Sequence, residues 1–188
     1  MSEEKFHEPH SGELLLAEPF MMDQNFRRSV VLICESKEEG VFGLILNKPL
    51  ELKLNDALAE FPAFDASLHF GGPVQTDTLH YLHNLGDDIE GSVKLSNGLY
   101  WGGNFEAIKA MIEQESVKPA DIRFFLGYAG WGYGQLVDEM RENSWIIAGA
   151  RAEHVFSSKP DELWKEVLNS LGGDYKLMSN FPESPLLN

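Results

Sequence analysis

The stretch Ser29-Val30-Val31-Leu32-Ile33-Cys34-Glu35 constrains this chain more than any other. It is almost wholly apolar and rich in β-branched side chains, which suit a pleated backbone. A strand sends alternate side chains to opposite faces, so a continuous apolar run needs cover on both. The run therefore predicts a central strand, enclosed from either side. A charged turn, Ser36 to Gly40, and a second apolar run, Val41 to Asn47, follow it. Together they predict a hairpin.

Further strands are expected at Glu13–Ala17, at Ser67–Phe70 and Thr78–His83 around a Gly71-Gly72-Pro73 turn, and at Gly98–Trp101. Leu54–Phe61 reads as a short helix with Asn55 as its cap. The second half alternates more clearly. An amphipathic helix at Phe105–Glu115, capped by Asn104, precedes a strand at Asp121–Tyr128, a helix at Gln135–Glu142 and a strand at Trp145–Ala148. The helix predicted at Pro160–Leu171 carries Leu163, Trp164, Val167, Leu168 and Leu171 in one stripe, and Gly172-Gly173 closes it. Strands come early and strand–helix units late, which predicts an α+β fold. No repeat or linker divides the 188 residues. One domain over 11–176 is expected, with a flexible segment at 1–10 and an extended tail at 177–188. Phe181-Pro182-Glu183-Ser184-Pro185 excludes regular helix there. A chain of this length buries roughly 70% of its unfolded surface, enough for a core without disulfides or metal.

Thirty acidic against 15 basic side chains give a net charge of -15. That field repels phosphate backbones and anionic lipid. Direct nucleic-acid binding would need a basic patch, and the densest basic cluster is the pair Arg27-Arg28. The acidity serves solubility or a basic protein partner. Cys34 is the single cysteine, so the chain has no internal disulfide. It reads as a small core hydrophobe. Met1–His10 is polar and acidic, unlike a signal peptide, and no apolar stretch approaches the roughly 20 residues of a membrane span. The expected location is cytoplasmic, away from membranes.

The most conspicuous motif is Gly127-Tyr128-Ala129-Gly130-Trp131-Gly132-Tyr133-Gly134-Gln135, placed between a predicted strand and a predicted helix. Glycine-rich strand-to-helix turns bind phosphates through bare backbone N–H groups. The dinucleotide spacing fails, however, because Gln135 falls where the last glycine belongs, and the Walker lysine is missing. Asp138 and Glu139 also crowd the helix start. Two readings remain: Tyr128, Trp131 and Tyr133 pack the core, or with Gln135 they line a groove for a partner or a non-phosphate ligand. Gly102-Gly103-Asn104 reads as a capped helix entry. His80 and His83, three apart on a strand, point to opposite faces, and His69 joins them only through the fold. Asp23 with Arg27 and Arg28 reads as an ion pair pinning a loop, or as a polar site. No nucleophile elbow, zinc motif or Cys/His pairing occurs. Nothing calls for a cofactor or metal.

In order along the chain, Gly12–Pro19, Asp23–Leu32, Gly43-Leu44-Ile45-Leu46-Asn47-Lys48-Pro49, Gly71-Gly72-Pro73-Val74 and Gly127–Leu136 resemble the bacterial YqgE/AlgH family. The resemblance implies a compact domain with a bent mixed sheet wrapped into a barrel-like shape, flanked by helices. It implies no chemistry, since the family is uncharacterised. The label of transcriptional regulator carried by some members comes with no helix-turn-helix or basic face here. The leading expectation is a non-catalytic binding or regulatory protein with Tyr128, Trp131 and Tyr133 in its groove. The alternatives are a small-molecule enzyme, in which Asp23, Arg28 and one of His69, His80 or His83 converge, and a direct DNA-binding regulator.

Overall fold

The computed structural model describes residues 7–183. Strand β2 (Val30–Lys37) lies between β1 (Glu13–Ala17) and β3 (Gly40–Ile45), antiparallel to both. Its side chains divide as the apolar run requires. Val30, Leu32 and Cys34 enter one buried cluster, whereas Val31 and Ile33 enter another. Helix α5 (Leu163–Leu171) supplies Leu163, Trp164, Val167 and Leu168 to the first. Trp131, Trp145 and Leu136 of helix α3 (Gln135–Arg141) close the second. Each large aliphatic side chain so enclosed stabilises the fold by about 1.5–3 kcal/mol.

The remaining strands are β4 (Pro49–Lys53), β5 (Ser67–Phe70), β6 (Val74–His83), β7 (Val93–Ser96), β8 (Leu99–Trp101), β9 (Ile122–Gly132) and β10 (Trp145–Gly149). The ten strands form one sheet in the order β10-β1-β2-β3-β9-β6-β8-β7, with β5 branching from β9 and β4 from β5. Every pairing is antiparallel except that of β5 with β9. The chain is thus a single mixed helix-and-strand domain.

The sheet is curled but open. Leu14 and Leu16 of β1, Leu82 of β6, Leu99 of β8 and Phe125 of β9 share one cluster with α5. Among the described residues no pairing joins β10 to β7. Gly12, at the start of β1, nevertheless sits so close to the far edge that a Cβ there would collide with the Leu95 carbonyl oxygen. The barrel-like wrapping implied by the family resemblance therefore does not reach a closed barrel.

Strand β9 corrects the expectation for the glycine-rich motif. Instead of turning after Tyr128, the strand runs on to Gly132. Phe124–Leu126 align with both β5 and β6, while Ala129–Gly132 pair with β3. The switch falls at Gly127, whose φ of +69° favours glycine and whose Cβ position is filled by the Gly72 carbonyl. Only Tyr133 and Gly134 form the turn into α3.

Asn104 caps helix α2 (Phe105–Glu113) as expected, its Oδ1 accepting the Ala107 N–H at 3.0 Å. Asn55 does not cap. Helix α1 (Leu54–Ala57) is shorter than predicted, and the Asn55 amide instead holds the loop beyond it, donating to Phe61 O and Pro62 O and accepting from Phe64 N. Strands β4 and β7 and helices α4 (Ala152–Val155) and α6 (Gly173–Met178) add to the sequence-based elements. Residues 1–6 and 184–188 of the two expected terminal segments lie outside the described residues. Among those described, no helix is long and apolar enough to cross a membrane.

Candidate functional site

The C-terminal half of β9 and the start of α3 build the candidate site. Trp131 is buried, and its indole N–H donates to Glu139 Oε2 at 2.9 Å. Trp145, from β10, donates to the same oxygen at 2.8 Å. Gln135 closes the frame, its Nε2 donating to Glu139 Oε1 at 3.0 Å and its Oε1 accepting from Gly132 N at 3.1 Å. The indole planes of Trp131 and Trp145 meet edge-on at 5.8 Å, with Phe26 packed against both. Charge-assisted bonds of this kind are about twice as strong as neutral ones. They fix α3 against the sheet, so Trp131 and Gln135 frame the site while Tyr133 extends from it.

Tyr133 is 78% exposed on the turn between them. On the other side, half-buried Tyr128 stacks on Phe42 at 4.6 Å, with His80 edge-on at 5.8 Å. Burial lowers the His80 pKa and favours its neutral ring. Two surface grooves meet at the β2–β3 turn. One, of about 470 Å³, is lined by Phe42, Tyr128, Gly130 and Trp131, with Glu35 and Glu39 at its edge. The other, of about 700 Å³, lies among Glu8, His10, Glu38, Tyr133, Val137 and Asp138. Gly40 belongs to both, and a Cβ there would stand 2.6 Å from the Trp131 carbonyl oxygen. Of the sequence-predicted residues, Tyr128 and Trp131 line the smaller groove and Tyr133 the larger, while Gln135 lines neither and instead holds Glu139.

The family model described as AlgH-like matches residues 14–176. The chain belongs to the AlgH-like family. It is 47% identical over 177 residues to a UPF0301 protein of Chlorobaculum tepidum, covering 94% of this chain and 95% of that one. With a UPF0301 protein of Bacteroides fragilis it shares 48% identity over 181 residues, 96% of this chain and 92% of the other. The solution structure of the AlgH protein from Pseudomonas aeruginosa aligns with a TM-score of 0.71 at 28% identity, over 94% of this chain and 97% of that one. A crystal structure from Corynebacterium diphtheriae aligns with a TM-score of 0.79 at 26% identity, over 93% and 94%.

This AlgH-like chain keeps Asp23 and Arg28 apart from that frame. Asp23 is exposed and shapes its own turn, Oδ1 accepting from Asn25 N at 2.8 Å. It forms no ion pair with Arg27 or Arg28, which corrects the loop-pinning expectation. Arg28 sits at φ +52°, its Nη2 donating to Phe181 O at 2.6 Å and its Cζ 4.5 Å over the Trp164 ring. Main-chain oxygen and an aromatic face replace the carboxylate.

No hydrogen bond, ion pair or ring contact joins Asp23 or Arg28 to His69, His80 or His83. His69 is buried, and burial, followed by the neighbouring Arg123 guanidinium, lowers its pKa to about 4. His83 lies 3.0 Å from Ser92 Oγ, but its Nδ1 accepts from Leu85 N and its Nε2 faces the Gly102 carbonyl at 2.9 Å. That arrangement fixes the proton on Nε2, so His83 cannot draw one from Ser92. Cys34 is buried and its thiol pKa is pushed up by burial, as befits a core residue. Among the described residues no group of three or more histidine, cysteine or acidic side chains forms a metal site.

Sequence reasoning noted Asp138 and Glu139 only as charges that oppose phosphate, and missed the frame role of Glu139, Phe42 and the other groove carboxylates. One signal for Glu139 was available: two tryptophans on apolar strands need acceptors for their indole N–H groups.

Proposed function

We propose that this AlgH-like chain is a non-catalytic binding protein of the cytoplasm, with its site in the paired grooves beside Tyr133. The observation that carries the proposal is the exposure of Tyr133 on a turn between two anchored elements. A large aromatic side chain left in water beside concave surface is what partner-binding sites offer. Gln135 and Glu139 hold the frame before any partner arrives, which lowers the ordering cost of binding. Trp131, largely buried, forms part of the lining of the smaller groove and supports the site from beneath.

The test is affinity capture from lysate with wild type and Tyr133→Ala, followed by titration of the captured component against purified protein. The proposal expects a species that wild type enriches and Tyr133→Ala loses, while near-UV circular dichroism of the variant stays unchanged. Equal enrichment by both proteins would remove the groove from the binding event. Direct DNA contact lies outside the proposal, because a net charge of -15 opposes it. A gel shift that weakens with salt would contradict this part.

A further inference from the structure

We infer that the occupant of the grooves is a basic segment of a protein partner, carrying arginine or lysine side chains. The inference rests on the grooves beside Tyr133 being the site, and it assigns the chemistry of what enters them. Five carboxylates, Glu8, Glu35, Glu38, Glu39 and Asp138, line the two grooves, against two cations, Lys37 and Arg141. Both cations are already engaged: Lys37 pairs with Glu35 at 2.8 Å and Arg141 with Asp138 at 3.2 Å. Glu8, Glu38 and Glu39 have no ion-pair partner among the described residues. The hydrogen bond that Lys37 donates to Glu35 and the charge of that carboxylate, with a smaller contribution from Glu39, raise the Lys37 pKa, as a negative local field should.

Aromatic surface is interleaved with this charge. Tyr133 presents its ring to solvent beside the larger groove, and Tyr128 and Phe42 line the smaller. An aromatic face next to unpaired carboxylates suits a guanidinium or ammonium group, which gains from both. The two grooves join at Lys37, Gly40 and Val41, with Glu8 and Glu38 on one side and Glu39 on the other, and the Lys37 ammonium at the junction is neutralised by Glu35. A single small amine reaches only one side. A peptide with successive basic side chains spans both. A second copy of this chain brings the same net charge of -15 and is repelled.

The test is fluorescence anisotropy of labelled peptides titrated with the full chain. The probes are an alternating arginine–serine peptide, its glutamate–serine counterpart and a neutral tyrosine–serine peptide. The arginine peptide is expected to bind. The triple variant Glu8→Gln, Glu38→Gln, Glu39→Gln should weaken it about tenfold, and Tyr133→Ala about fivefold. A charge-matched control, Glu51→Gln, Glu113→Gln, Glu166→Gln, removes exposed carboxylates away from the grooves and should weaken it less than about twofold. Equal weakening by both triple variants would reduce the effect to overall charge and overturn the inference, as would no binding of the arginine peptide. Tyr133-dependent binding of the neutral or acidic peptide would sink the inference but keep the grooves as the site. If no peptide binds and the lysate capture also ignores Tyr133→Ala, both fall.

Discussion

Acidification should destabilise this protein through His69, and the size of the effect follows from its surroundings. The ring is 4% exposed and its Nδ1 has no hydrogen-bond partner. Its pKa is lowered from 6.5 to about 4, first by burial and then by Arg123. Between those values the unfolded chain binds the proton and the folded chain does not. The stabilisation is therefore complete above pH 6.5 and is lost as pH falls through about 4. At about 1.4 kcal/mol per pH unit, the full gap is worth about 3.5 kcal/mol. Most of it, about 2.5 kcal/mol, should already be gone at about pH 4.5. Urea denaturation at about pH 7.5 and about pH 4.5 measures the loss. Because His80, His83 and His154 are lowered in the same direction, the decisive quantity is a difference. His69→Leu should lose about 2.5 kcal/mol less than wild type over that interval. An equal loss in both proteins would refute the reasoning, as would a His69 ring resonance titrating near 6.5 in the folded protein.

Other perturbations follow from the same contacts. Glu139→Ala strands two buried indole donors and should cost about 3 kcal/mol by urea denaturation, whereas Glu139→Gln keeps an acceptor oxygen and should cost about 1 kcal/mol. Gly127→Ala places a Cβ against the Gly72 carbonyl at a positive φ and should cost about 3 kcal/mol, while Gly132→Ala, with open space around it, should change stability by less than about 0.5 kcal/mol. Tyr133→Ala should also stay within about 0.5 kcal/mol in the same assay, because its ring leaves little buried surface to lose.

The elements most legible in the sequence were those whose residues announce their own environment. The β2 run demanded two-sided cover and receives it, and the stripe on α5 supplies one of those covers. Strands β1 and β5 fall at the expected bounds. Strand β4 was illegible because its mostly exposed Pro49-Leu50-Glu51-Leu52-Lys53 carries charges and a proline. The glycine-rich motif misled for a definite reason. Glycine inside a sequence usually marks a turn, and Gly134 does so at φ +71°, but Gly127 instead clears space, facing the Gly72 carbonyl too closely for a side chain. That close approach is set by a segment far away in sequence, and no local pattern reports it. Similarly, Tyr128, Trp131, Tyr133 and Gln135 were singled out from the local glycine-rich motif, whereas the role of Glu139 appears only once α3 and β10 place both indoles on its carboxylate. Asp23 and Arg28 were chosen for charge and proximity, yet Asp23 bonds within its own turn and Arg28 engages the Phe181 carbonyl and the Trp164 ring instead.

The two-sided enclosure of β2 also bears on how the protein is made. Its covers, Trp131 with α3, Trp145 and finally α5, all lie late in the chain. At ordinary elongation rates, residues 30–34 leave the ribosome on the order of ten seconds before Leu168 does. Throughout that interval a short, uncharged, β-branched segment waits without its roof, the kind of sequence that seeds intermolecular strands. Nascent chains ending before α5 should therefore aggregate or recruit a holding chaperone. The residues that most define the finished fold are also the ones most exposed to misassembly before synthesis ends.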